Sequence, residues 1–135
     1  MSRSGYTDDC DLGDWEMIKW RGQVASATRG RRGQKLLTDL LKALEAMPEK
    51  SLITSELETP DGAVCALGAL GKARGVDMRK LDPEEPEQVA NAFDVAPQLA
   101  QEIVYMNDEY WDRVTPGERW TRMRDWVKSQ IRSVE

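Results

Sequence analysis

At 135 residues, 40% apolar and 32% charged, the chain has the makeup of one globular domain, long enough to bury ~70% of its unfolded surface. It contains no histidine, only two cysteines and five tryptophans. This excludes imidazole bases, Ser-His and Cys-His dyads and thiolate-rich zinc sites; no run reaches the ~18 apolar residues of a membrane span. The net charge of −5 is uneven: residues 1–50 carry nine Lys/Arg against eight Asp/Glu, residues 51–110 four against twelve, and residues 111–135 six against four. An acidic middle between weakly basic ends disfavours general nucleic-acid affinity and favours basic partners.

The first eleven residues are polar and acidic and are expected to form a loose segment. They lack the apolar core of a secretory signal, so the expected location is the cytoplasm, with Cys10 and Cys65 as reduced thiols. Asp8, Asp9, Asp11 and Asp14 depart from an EF-hand loop, because Gly13 and Asp14 occupy the positions that want a ligand and the turn glycine respectively. No metal and no cofactor is expected.

From Leu12 to about Arg29 the pattern is helical. Trp15, Ile18, Gly22 and Ala25 line one face, and Met17, Trp20, Val24 and Ala27 another, which predicts a helix buried between neighbours. RGRRG (29–33) interrupts it. Residues 34–47 repeat Leu36, Leu37, Leu40, Leu41, Leu44 and Met47 at steps of three and four, with Pro48 just beyond. A Pro-Asp-Gly turn at 60–62 predicts a short β-hairpin pairing about 52–57 with 63–65. A small-residue helix follows from about Cys65 to Ala73, with Gly75 as its cap. Residues 82–88 open a short helix to about Phe93, and another is expected over 96–107. Thr115-Pro116 marks the start of the last, which runs to about Arg132. The expected fold is mostly α, a single domain of around six helices with at most one small hairpin.

The stretch GAVCALGALGKARG (62–75) invites three readings. As a phosphate loop, Ala66, Gly71 and Lys72 fit, but Ala73 stands where a magnesium-binding hydroxyl is required. As the seat of a nucleophile, Cys65 sits where a helix N-terminus favours thiolate, yet no histidine serves it and Val64 and Leu67 are apolar. As a packing element, Cys65, Gly68, Ala69 and Lys72 form one stripe along which another helix can lie close. Glycine inside a helix costs ~1 kcal/mol against alanine, so two of them imply a steric reason. The packing reading is preferred.

These residues carry a resemblance. C-A-L-G-A-L (65–70), followed after an apolar helix by Asn107-Asp108, resembles a C-x-L-G-[AV]-[LV] … Asn-Asp pattern in small phage and prophage proteins. Nearly the whole chain is similar to a narrower group in tailed phages and prophages of proteobacteria. That group shares SGYxDD near the start, RGxRGQ (Arg29, Gly30, Arg32, Gly33, Gln34), VCALGA (64–69) and RWxRMRxWV (Arg119 to Val127). The resemblance implies phage origin and assigns no chemistry.

Residues 88–107 place Ala90, Phe93, Val95, Ala100 and Ile103 at helix-turn-helix spacing. The would-be recognition helix offers Gln98, Gln101 and Glu102 and no cation, so a helical pair without DNA contact is expected. Arg29, Arg31, Arg32 and Lys35 make the densest positive patch. Joined by Arg119, Arg122, Arg124 and Lys128, it could hold phosphate or an acidic protein surface. Five tryptophans exceed what a small core needs, so at least one is expected to be partly exposed. The candidate partner-binding residues are Arg29, Arg31, Arg32, Lys35, Tyr110, Trp111 and Trp126. Cys65, Gly68, Ala69, Asn107 and Asp108 are expected to be structural, the last two closing a helix and bonding loop amides.

The expected function is a phage-encoded, non-enzymatic monomer or homodimer that binds and inhibits a host protein of a defence system, in the manner of an anti-CRISPR protein, or of metabolism. The alternatives are a nucleic-acid-associated regulator using Arg29–Lys35 and the C-terminal helix, or a cysteine-dependent enzyme using Cys65.

Overall fold

The computed structural model of the chain describes residues 13–82, 84–110 and 113–132, and every regular element among them is helical. In order these are α1 (Gly13–Arg29), α2 (Arg31–Ala46), α3 (Ala66–Arg74), a 3₁₀ turn (Met78–Lys80), α4 (Pro86–Phe93), α5 (Pro97–Tyr105), a π-helical extension of α5 (Met106–Tyr110) and α6 (Pro116–Gln130). No described helix is long and apolar enough to cross a membrane.

The expected hairpin shrinks to one antiparallel bridge between Glu58 and Val64. The turn itself forms, with Gly62 at φ 93° and its N–H bonded to the Thr59 carbonyl at 2.9 Å. Before it, the chain leaves the ladder: Ser55 sits at φ 71°, a left-handed conformation that breaks strand geometry.

Helix α2 is the central strut. Leu36, Leu37, Leu40, Ala43 and Leu44 are buried on it, and it packs against α1, α3 and α6. It begins at Arg31, three residues earlier than the leucine pattern predicts, so the RGRRG stretch is a corner one residue wide. Gly33 explains the sharpness, because a Cβ there would collide with the Ala27 carbonyl of α1. Gln34 then locks the corner. Its amide nitrogen donates to the carbonyls of Thr28 (2.7 Å) and Gln130 (3.1 Å), and its oxygen accepts from the Arg132 N–H at 2.8 Å.

At the other end of α2, Trp120 of α6 donates its indole N–H to the Leu44 carbonyl at 3.0 Å. The cations of Lys50 and Arg124 lie 5.2 and 5.1 Å from its ring centroid, within cation–π range. Helix α6 opens with a complete capping box, Thr115 accepting from the Glu118 N–H and Glu118 from the Thr115 N–H, with Pro116 at the first position.

Helix α3 is buried from Ala66 to Gly71, and Gly75 closes it at φ 74°. The stripe of small residues does admit a close neighbour, but not a helix. A Cβ on Gly68 would overlap the carbonyl of Leu57 in the incoming loop, and one on Gly71 would meet the Met78 sulfur at 2.5 Å. Arg74 fastens the far end of α3, donating to the Phe93 carbonyl of α4 (3.0 Å) and to Asp39 of α2 (2.8 Å). Helices α4 and α5 form the expected pair, with Ala90, Phe93, Val95, Ala100 and Ile103 all buried.

Helix α1 departs most from expectation. Trp20 is buried, but Trp15 and Ile18 are 64% and 59% exposed, so one of its two apolar faces is solvated.

Gly68→Ala should destabilise the fold by roughly 3 kcal/mol, because backbone cannot yield to the added methyl. Gly22→Ala, in open space on α1, should stabilise it by about 0.5–1 kcal/mol; urea denaturation of both variants tests the contrast. The Arg74 hydrogen bond, ahead of the opposing desolvation and the weaker effect of Lys35, holds the Asp39 carboxyl below its ordinary 3.8. Its stabilisation is therefore full above that pH and lost as pH falls through the lowered value. Asp39→Asn should cost at most about 1 kcal/mol at neutral pH, given the partly exposed pair, and the gap to wild type should close as pH falls below 3.8 and through the lowered value.

Candidate functional site

Two regions concentrate the chain's polar chemistry. The first joins the two halves of the C-A-L-G … Asn-Asp pattern. Cys65 is the N-cap of α3, its sulfur accepting from the Gly68 N–H at 3.4 Å. The preceding step of the cap is supplied from far along the chain, since the Asn107 Oδ1 accepts from the Ala66 N–H at 3.1 Å. The Asn107 amide nitrogen donates to the Ile53 carbonyl (2.8 Å) and to Asp108 Oδ1 (2.6 Å). Asp108 Oδ2 accepts from the Ser55 N–H at 3.2 Å, steadying the left-handed Ser55. Arg119 of α6 donates to the Asn107 carbonyl at 2.7 Å.

Asp108 thus bonds a loop amide as expected, whereas Asn107 bonds the first amide of α3 and a loop carbonyl, and both lie within the π-helical turn rather than closing a helix. The sequence offered the right residue types; what it lacked was the partner, because the bonds span 41 and 54 positions.

This arrangement sets the chemistry of Cys65. The thiol is buried, and burial pushes it up to about 12, with the nearby Asp108 carboxylate acting the same way and the Gly68 N–H opposing. The lowering expected of a helix N-terminus is present in that amide but is outweighed by desolvation. The cavity beside it, lined in part by Asn107 and Asp108, measures about 10 Å³, room for one water at most. Lys72, the lysine of the rejected phosphate loop, instead pairs with Glu58 at 3.3 Å and donates to the Gly62 carbonyl at 3.1 Å. Among the described residues no group of three or more His, Cys, Asp or Glu could hold a metal.

The second region is a groove of about 390 Å³ between α1, α5 and α6. Successive turns of α1 supply Trp20, Val24 and Thr28 on one line and Arg21, Ala25 and Arg29 on the next. Helix α5 adds Glu102, and α6 adds Trp126, Ser129 and Gln130. Trp20, Thr28 and Glu102 are buried, at 6%, 6% and 3% exposure, so the groove is backed by polar and aromatic interior rather than aliphatic surface. The Trp20 indole N–H is buried and has no hydrogen-bond partner among the described residues.

The structure divides the predicted binding residues. Arg29 and Trp126 meet in the groove. Arg31 is exposed beside the corner; Arg32 pairs with Asp94 at 3.4 Å and Lys35 with Asp39 at 3.4 Å. Trp111 and the side chain of Tyr110 lie outside what is described. The corner does meet the end of α6 through Gln34; of the α6 cations, Arg119 is committed to Asn107, and Arg124 to Asp125 and Trp120. Glu102, read as a feature of an exposed recognition helix, is turned into the interior.

Sequence reasoning assigned no binding role to Trp15, Ile18, Trp20 or Arg21. The signal was the two-faced α1, taken as doubly buried when only one face has a partner.

The chain matches no protein-family model, no curated protein and no solved structure.

Asn107→Ala should cost about 3–5 kcal/mol in chemical denaturation, since it orphans the Ala66 N–H and the Ile53 carbonyl in the interior. Cys65 in the native protein should alkylate with iodoacetamide only as fast as the fold opens, rather than at the rate of a free thiol.

Proposed function

We propose that the protein works by binding another protein, not by catalysis. Its docking surface is the solvated face of α1, and its partner is a host protein bearing an apolar depression ringed by carboxylates. The observation that carries this reading is the joint exposure of Trp15 and Ile18, one turn apart on a single helix face. Exposed tryptophan is the residue most enriched at binding hot spots, and a surface cluster of large apolar side chains marks interaction sites.

Charge supplies the partner's character. Residues 13–35 hold six Lys/Arg against two Asp/Glu, on a chain that is acidic overall. Lys19, Arg21, Arg29 and Arg31 are exposed around that surface. An acidic partner would be steered to this end of the molecule and repelled by the Asp- and Glu-rich middle.

A buried thiol with its pKa raised to about 12 supports a non-enzymatic reading. The resemblance to phage and prophage proteins supports a cytoplasmic host target and an inhibitory role, in which occupying a host protein's acidic surface blocks its normal ligand, whether in defence or in metabolism.

The test is affinity capture from host lysate, with and without infection, using the full chain and its Trp15→Ala/Ile18→Ser variant. Both side chains are mostly solvated, so the variant should fold like the parent by circular dichroism. A stoichiometric protein recovered by the parent, lost by the variant and released by salt is the expected result. Retention by the variant, or recovery of nucleic acid in place of protein, overturns it.

A further inference from the structure

We propose that the groove between α1, α5 and α6 is a small-molecule site for a flat, amino-substituted aromatic ring carrying an anionic tail, the chemistry of a purine or cytosine nucleoside monophosphate. The groove lies beside the Trp15–Ile18 face and shares Arg21 and Arg29 with it, but its ring-binding walls are distinct from that face and the proposal does not depend on the docking reading.

Size and shape come first. About 390 Å³ falls within the 300–1,000 Å³ typical of small-ligand sites. The groove is stitched at one end, because Gln34 bonds the carbonyls of Thr28 and Gln130, two of its lining residues, from opposite walls. A blind end suits a compact ligand and obstructs an extended peptide running through.

Its polarity is graded. The rim carries Arg21 and Arg29, two turns apart on α1, both exposed and neither in an ion pair among the described residues. Guanidinium is the group best matched to phosphate oxygens, bonding them in parallel pairs. The walls carry Trp20 and Trp126, indoles of the kind on which nucleobases stack. The interior side carries Glu102, a buried carboxylate. It already has a partner in the fold, but an ionised carboxylate offers about four acceptor positions. It can therefore take an exocyclic amine, while the arginines at the rim match the phosphate. Anion at the rim, ring between the walls and amine inward is the one orientation that meets all three.

The experiment titrates the full chain with GMP, AMP, CMP and UMP, with the parent nucleosides, and with inorganic phosphate, reading tryptophan fluorescence and calorimetric heat. Saturable binding of at least one amino-bearing monophosphate is expected, with its nucleoside, inorganic phosphate and UMP each about tenfold weaker or worse. Arg21→Gln and Arg29→Gln, both on exposed side chains, should each weaken it about tenfold while leaving the circular dichroism unchanged. Trp126→Leu should weaken it as well, and Trp15→Ala, off the groove, should leave it intact. The proposal is overturned if no monophosphate saturates, if UMP or phosphate binds as well as the others, or if the arginine variants bind like the parent. Loss of host-protein capture in the Trp15 variant with nucleotide binding retained would separate the two surfaces.

Discussion

A single carboxamide joins three segments that share no helix. Asn107 receives the first amide of α3, donates to the loop at Ile53 and to Asp108, and presents its own carbonyl to Arg119 of α6. Helix α3 is buried over its first six residues, where amides left unmatched cannot turn to water. The helix therefore requires an acceptor brought from elsewhere, and Asn107 can serve because the π-helical turn continues α5 far enough to deliver it. Gly68 belongs to the same requirement: the Leu57 carbonyl must come close for the loop to reach Asn107, and only glycine leaves the space. The C-A-L-G stretch and the Asn-Asp pair are thus two halves of one joint.

Gln34 performs the corresponding task on the opposite side. It holds α1, α2 and α6 together where the RGRRGQ corner meets the end of α6. Gly33 gives the corner its tightness and Gln34 its bonds, which leaves the preceding arginines, Arg29, Arg31 and Arg32, without a side-chain bond among the described residues apart from the exposed contact of Arg32 with Asp94. A corner rigid in its backbone and cationic in its side chains keeps positive charge at a fixed place on an acidic molecule. The groove and the solvated face of α1 both border that place.

Much of this fold was legible in the residues. The leucine period of α2, the Thr115-Pro116 start of α6 and the Gly75 cap are local signals, each complete within a few positions, and the structure reproduces them. Where the physics was not local, the reading strayed. The Pro-Asp-Gly turn forms as its residues dictate, and Ile53 and Leu57 still bond across to Val64 and Cys65, yet regular pairing stops at one bridge, because Ser55 turns left-handed and its N–H goes to Asp108. The glycines of α3 predict a close neighbour, but composition does not say whether helix or loop arrives. Periodicity shows that α1 has two apolar faces; it cannot show that only one of them has a neighbour. The groove was least legible of all, since Arg21, Glu102 and Trp126 are united by three helices and by no motif.

Helix α1 contributes only two buried side chains among those described, Trp20 and Thr28, whereas α2 and α3 each bury six. Resistance to opening follows the apolar area and the protected hydrogen bonds that an element shares with its neighbours. Fewer buried side chains tie the first helix to its neighbours than tie α2 and α3, so its local opening is expected to cost less than theirs. Both candidate recognition surfaces are carried by this loosely moored element. Occupancy of either one would draw on the reserve of local motion in α1 and tighten it, without disturbing the Asn107 joint beneath.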